Sequence, residues 1–381
     1  MGEPLQLPSA SYLLRGRPAD LVGTGPSQQR HALLHLVSLV SLISEAPSGA
    51  LGDAYGHKRM LVAGLTIWGI GLLTLGISNS VILALIALCL WTVGMSFQSG
   101  TLAPIVFTTI PSDADQKPYI ARGVRTGQVS RWTGSALGGS LLLTMGEKYS
   151  NLTLIAFSGL ALICTALLAL TALPETPRTE GQTWISAIKE ATKLTKSKQY
   201  LPLVLASVIF SATLTALVVA WQPLISQVYG ASPRFNGLIL IAMMATTGIG
   251  AWLAKFIPPE KYGSSSLLIL LCTSLCLPLA AIHHPLAWIL AAELFVGMAG
   301  VQIGTWQYSL FPEHLRNSLY STVGTLSGLG AAAMNLGFGA LWDKRGLEIA
   351  LFASGTLATA SVITLHLYLT FQGRKTNVTT D

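Results

Sequence analysis

Three charged side chains interrupt long apolar runs of this chain, where a charge is costly unless it meets a partner or a water-filled cavity. Arg131 lies in the run that begins near Ile120; at about 1.5 Å per helical residue it sits roughly 16 Å deep, close to the middle of a bilayer. A guanidinium there offers a rigid fork of donors to a carboxylate or another anion. Glu45, just before Pro47, has two readings: it titrates, or it satisfies backbone groups freed by the proline and pairs with an arginine such as Arg131. Glu293 either holds a coupling proton, if burial favours its neutral form, or reaches for the interface. The fourth feature is the link Gly49-Ala50-Leu51-Gly52-Asp53-Ala54-Tyr55-Gly56-His57-Lys58-Arg59. Its glycines permit positive φ and close helix approach, and Asp53 can cap a helix or pair with a cation. Arg122 or Arg125 is the expected partner of Asp53. Lys58 and Arg59 either share in that contact or only orient the helices.

A second set of residues suits ligand binding rather than proton movement. Gln98, Gln128, Trp132, Trp221, Gln222, Gln302, Trp306 and Asn335 fall within or near the ends of the apolar runs, and pockets for small organic molecules combine aromatic walls with a few placed amides. Each is also a plausible packing residue, and Trp221 suits the aromatic belt at a membrane surface. Cys89, Cys164, Cys272 and Cys276 all lie in apolar runs, where a thiol behaves as a small hydrophobe. No metal, cofactor or disulfide is expected. Neither a phosphate loop nor a nucleophile elbow is present, so no enzyme chemistry is expected.

These residues need long helices to position them. The chain has 381 residues, 51% hydrophobic and only 10% charged, with a mean hydropathy of +0.58. That composition belongs to an integral membrane protein rather than a soluble domain, in which about a quarter of residues are charged. The net charge of +7 is dispersed between apolar runs, without the basic stripe that tracks nucleic acid. About eleven runs approach the ~20 residues a spanning helix needs, near 31–50, 60–78, 81–108, 120–144, 151–173, 200–226, 235–257, 265–282, 286–311, 317–342 and 346–371. The organisation expected is a non-spanning segment 1–30, a first bundle 31–173, a central loop 174–199, a six-helix bundle 200–372 and a tail 373–381. Within the loop, Trp184 to Leu194 reads as a short amphipathic helix lying on the membrane surface. Most Lys and Arg residues, from Lys58 and Arg59 through the central loop to Arg374 and Lys375, fall on one side, against Lys148, Arg234, Lys344 and Arg345 on the other. The positive-inside rule makes the first side, and the C-terminus, cytoplasmic.

The 49–59 link resembles the Gly-x-Leu-x-Asp-x-x-Gly-x-Lys-Arg loop of the major facilitator superfamily, through Gly49, Leu51, Asp53, Gly56, Lys58 and Arg59. Glu45-Ala46-Pro47-Ser48-Gly49 is similar to the lead-in of its drug-efflux-like members, and Leu173-Pro174-Glu175-Thr176 to the usual end of the sixth helix. The resemblance implies an all-α, two-bundle fold, with these eleven runs as family helices two to twelve and the first absent or replaced. It also implies that Asp53 holds a cytoplasmic helix pair that must part for a carrier to change state. Leu90 stands where proton-coupled members carry arginine, Gly134-Ser135-Ala136-Leu137-Gly138-Gly139 lacks the antiporter proline, and Lys255 replaces an aspartate in the second copy of the loop. The first two departures weigh against protons as the coupling ion.

The function expected is alternating-access transport of a small organic or drug-like solute, by export, through a monomer in the plasma or inner membrane. The alternatives are an importer of a sugar or organic anion with Arg131 as the clamp, and a non-transporting sensor or truncated, inactive carrier. Glycine series at Gly123, Gly127, Gly134, Gly138 and Gly139, and at Gly324, Gly328, Gly330, Gly337 and Gly339, are expected to be close-packing or sliding faces.

Overall fold

A computed structural model describes residues 40, 43–45, 47–99, 101, 105, 116–145, 149, 151–175, 184–230, 233–258, 261–312 and 315–378. Among them the regular structure is entirely helical, as hydrocarbon demands of a spanning chain: each backbone donor and acceptor must be satisfied within the segment. The helices are α1 (helical at 43–45 and 47–55), α2 (His57–Gly76), α3 (Val81–Gln98), α4 (Gln116–Met145), α5 (Asn151–Ala172), α6 (Trp184–Thr195), α7 (Leu201–Tyr229), α8 (Pro233–Leu253), α9 (Tyr262–Ile282), α10 (Pro285–Leu310), α11 (Arg316–Arg345) and α12 (Leu347–Val378). Each of the ten runs after the first is represented by a helix. The first run lies largely, and segment 1–30 wholly, outside the described residues.

Seven of the described helices are long and apolar enough to cross a membrane, within α2, α5, α7, α8, α9, α10 and α12. The 30-residue helices α4 and α11 are not among them. They carry many polar and small residues, and each meets a helix of the opposite bundle. In the first bundle α2 packs against α3 and α5; in the second, α7, α9, α10, α11 and α12 pack around one another. Although α4 belongs to the first half of the sequence, it packs against α8 and α10 of the second half.

Close approach in the first bundle is made by glycines of α2 and their partners. A Cβ on Gly69 would meet the Gly159 carbonyl oxygen at 2.7 Å, and one on Gly64 the Gly94 carbonyl oxygen at 2.9 Å. The expected small-residue faces behave otherwise. A Cβ on Gly127, Gly134, Gly138, Gly328, Gly337 or Gly339 would meet nothing within 4 Å among the described residues, whereas Gly330 abuts Val208. Spacing alone identifies a smooth face, and what lies opposite decides whether the face is used.

The second bundle has a continuous core. Leu217, Leu224, Ile225, Met243, Leu277, Ile289 and Phe338 are all at most 2% exposed and belong to one cluster. A second cluster sits at the end where α11 begins, joining Leu203, Leu315 and Leu319 to Ala50 of α1 and to Ala187 and Ala191 of α6. The amphipathic helix packs Ala187 and Ala191 against the start of α11, while Ile185 stays exposed.

Candidate functional site: a cross-bundle gate and a mid-helix cation

Gly56 has φ 98°, a left-handed conformation open to glycine, and it turns the chain from α1 into α2. The turn aims Asp53 across the bundle boundary. Its Oδ2 accepts from the Ser318 backbone N–H at 2.9 Å and from the Ser318 hydroxyl at 2.6 Å. Ser318 lies in the first turn of α11, whose own flanking residue Leu315 supplies no side-chain cap. A helix start leaves backbone N–H groups without partners and carries partial positive charge. Asp53 therefore caps a helix of the opposite bundle.

The approach is tight. A Cβ on Gly52 would lie 2.5 Å from Asn317 Nδ2, and one on Gly49 would collide with Ser321 Oγ. Asn317 Nδ2 donates to the Gly49 carbonyl oxygen at 3.4 Å and contacts His57 Nδ1 at 3.2 Å. His57 Nε2 lies 3.8 Å from Asp53 Oδ1. Asp53, Asn317, Ser318 and Ser321 are all buried. Burial raises the Asp53 carboxyl from 3.8 to about 7, and the Ser318 hydrogen bonds oppose the rise without cancelling it.

Asp53 lies at the seam, but its partner is not the one expected. Among the described residues Asp53 makes no ion pair with Arg122 or Arg125, which lie on α4, exposed and half-buried respectively. The helix start of α11 offers amides and a hydroxyl at hydrogen-bonding distance, and these replace the expected guanidinium. Lys58 instead pairs with Glu175 at 3.5 Å, tying the beginning of α2 to the end of the first bundle; Arg59 is exposed. Asn317, Ser318, Ser321 and His57 are the participants that sequence reasoning missed. The run Arg316-Asn317-Ser318-Leu319-Tyr320-Ser321-Thr322 was the available signal, being too polar for the start of a spanning helix.

Glu45 accepts from the Ser99 hydroxyl at 2.6 Å, and a Cβ on Gly324 of α11 would lie 3.2 Å from its Oε1. Arg131 stands midway along α4, is exposed, and makes no ion pair among the described residues. The pair Glu45–Arg131 is thus not formed. Tyr320 of α11, half-buried, stacks on Tyr308 with ring centroids 5.4 Å apart. Gln128, one turn before Arg131, faces Gly300 of α10 at 3.7 Å from the position of a Cβ. Gln128 and Arg131 thus lie one turn apart on α4, whereas Glu45 sits between Ser99 and Gly324 of α11.

The remaining candidates are dispersed. Glu293 is 2% exposed in the seam between α8 and α10, where its Oε2 lies 2.6 Å from Thr247 Oγ1. That hydroxyl also lies 2.7 Å from the Met243 carbonyl oxygen. One hydroxyl proton cannot serve both, so both contacts are hydrogen bonds only when the carboxyl supplies a second proton. Gln302 is fully buried and bonded to Ser265 and Ala254. Trp306 and Trp221 pack on core clusters. Trp132 faces α8, Gln98 and Gln222 are half-buried, and Asn335 is exposed. Among the described residues these tryptophans and amides are thus spread over several helices.

A family profile described as Major Facilitator Superfamily matches residues 22–334. The chain belongs to the major facilitator superfamily. Solved structures agree with this major facilitator in fold. The human organic anion transporter MFSD10 (TETRAN) superposes with a TM-score of 0.74 at 15% identity, covering 93% of this chain and 87% of that one. The transporter FucP in its outward conformation gives 0.69 at 17% identity, covering 94% and 93%. A single-residue variant of the E. coli fucose:proton symporter FucP gives 0.64 at 16%, covering 90% and 92%. No curated protein matches significantly by sequence. The family makes this integral membrane protein a transporter and not an enzyme.

Proposed function

We propose that this major facilitator moves a small organic solute bearing an anionic group by alternating access, with Arg131 as the group that receives the anion. One observation carries the proposal: a mid-helix guanidinium that is exposed and without an ion pair among the described residues. A charge so placed is expensive unless function retains it. Gln128, one turn away on the same helix, is a further contact, and the Asp53 seam opens and closes one side. Similarity of fold to an organic anion transporter is in keeping with this reading. Glu293, shielded in its seam, is the position that would hold a coupling proton. The carrier works as a monomer in the plasma or inner membrane, with its C-terminus cytoplasmic.

Flux of a panel of organic anions into proteoliposomes tests the proposal. Arg131→Gln should lower anion flux about tenfold or more, the scale of a lost hydrogen bond to a charged group (~1.5–3 kcal/mol), and Arg131→Lys should restore part of it. Wild-type flux in Arg131→Gln overturns the anion assignment. A second reading, export of an uncharged or cationic drug-like molecule, draws on the similarity of residues 45–59 to efflux members. It predicts that lipophilic dyes are moved equally by both forms.

A further inference from the structure

Between α4 and α8 runs an apolar groove of about 350 Å³, lined by Val129, Trp132, Ala136, Met244, Gly248 and Trp252, among others. The two helices are antiparallel in a constant register. Trp132 faces Gly248, Gly139 faces Ile241 and Leu143 faces Gly237, so each step along one helix matches an equal step back along the other. The groove ends toward the beginning of α4 and the end of α8, the end of the molecule where Asp53 meets α11.

At that end three cations gather. Lys255 Nζ lies 3.5 Å from the ring centroid of Trp252, itself a wall of the groove. Continuing the register sets Arg125 opposite Lys255. At 3.6 residues per turn, Arg122 and Arg125 share the arc of α4 that carries Val129, Trp132 and Ala136, not the arc of Gln128 and Arg131. None of the three makes an ion pair among the described residues, and Arg122 and Lys255 are exposed. At the other seam a carboxylate, Asp53, meets a helix start; here the corresponding position is Lys255, and positive charge meets positive charge.

We propose that this groove holds an anionic phospholipid of the leaflet on the Asp53 side, with an acyl chain along Trp132, Gly248 and Trp252 and the phosphate between Lys255, Arg125 and Arg122. An apolar slot with a cationic mouth is complementary to that amphiphile at both ends, and basic pockets between membrane helices bind lipid headgroups in this way. The interaction with Trp252 holds the lysine at the mouth, where a lysine with no such partner extends freely into the headgroup layer. Occupancy fills the lateral seam between α4 of the first half and α8 of the second, so the lipid bridges the two bundles at a boundary separate from the Asp53 seam.

The test uses the full chain in nanodiscs of phosphatidylcholine containing a minor fraction of lipid brominated on its acyl chains, either phosphatidylglycerol or phosphatidylcholine. Bromine quenches tryptophan on contact, so Trp132 and Trp252 report occupancy. Brominated phosphatidylglycerol should quench more than the same fraction of brominated phosphatidylcholine. The excess should vanish in W132F/W252F, which removes the reporters, and in R125Q/K255Q, which removes the headgroup contacts. It should also vanish in Gly248→Leu: a Cβ there meets Trp132 only at 3.7 Å, so the side chain enters the groove and not the backbone of α4. Equal quenching by the two lipids in the wild type means a merely annular lipid and overturns the proposal. Excess quenching that survives R125Q/K255Q overturns it as well, as does displacement of the brominated lipid by a transported anion, which assigns the groove to substrate. Size-exclusion elution checks each variant, and if R125Q/K255Q does not fold, Lys255→Gln alone must reduce the excess.

Discussion

Asp53 carries two opposing demands, hydrogen bonds that favour its charge and burial that disfavours it, and burial dominates, raising the carboxyl to about 7. With the seam open, the same group meets water and returns to about 3.9. The closed form therefore holds a proton that the open form releases across roughly pH 4 to 7. Acidification through that window favours closure, and above about 7 the ionised group opposes it by its desolvation. Spin labels on Tyr55→Cys and Lys261→Cys, both exposed, in a background free of native cysteine should show the short distance gaining population as pH falls. Asp53→Asn, neutral at every pH, should flatten the response. Asp53→Ala removes the cap of α11, and the closed-to-open ratio should drop roughly fivefold, for a cap contribution of about 1 kcal/mol. A pH response unchanged in Asp53→Asn would assign it to another group. The position of Asp53 was legible from the glycine-rich loop around it. Its partner was not, because a helix start presents backbone amides, which have no signature in side-chain identity.

At the scale of elements, α8 and α10 approach so closely that no side chain fits between them beside Glu293. A Cβ on Gly297 would collide with the Thr247 carbonyl oxygen, and one on Gly250 with that of Leu294. The seam encloses the Glu293–Thr247 contact on both flanks. Gly297→Ala should therefore force the helices apart and lower the thermal unfolding midpoint, with a cost of about 1–3 kcal/mol typical of overpacking. Gly337→Ala, whose Cβ meets nothing among the described residues, should leave the midpoint close to wild type. Equal midpoints for the two variants would show that the seam yields. The sequence singles out Gly337 in a series of small residues at helical spacing and not Gly297, the reverse of their packing. Helix length and number were readable because hydropathy depends on composition. Which glycine faces which backbone depends on the rotation of two helices, which composition does not encode. The same limit explains α6: its apolar stripe was evident in the sequence, but whether that stripe met lipid or the start of α11 depended on the fold.

At the scale of the whole molecule, the bundles meet along two unlike boundaries. One is polar and bonded at one end, through α1 and α11; the other, through α4 and α8, is apolar along its groove and carries cations at its mouth. The family was legible because its loop signature lies in consecutive residues. The two boundaries were not, because each joins residues more than ninety positions apart. The polar boundary has a dynamic consequence. Because α11 begins on a carboxylate lent by the other bundle, every excursion that separates the bundles strips the first turn of its acceptor, and the amides of Asn317 and Ser318 become free to trade protons with solvent. Deuterium uptake at this turn should thus run as a clock for the transport cycle, speeding when solute drives the carrier through its states and slowing when the carrier is held shut.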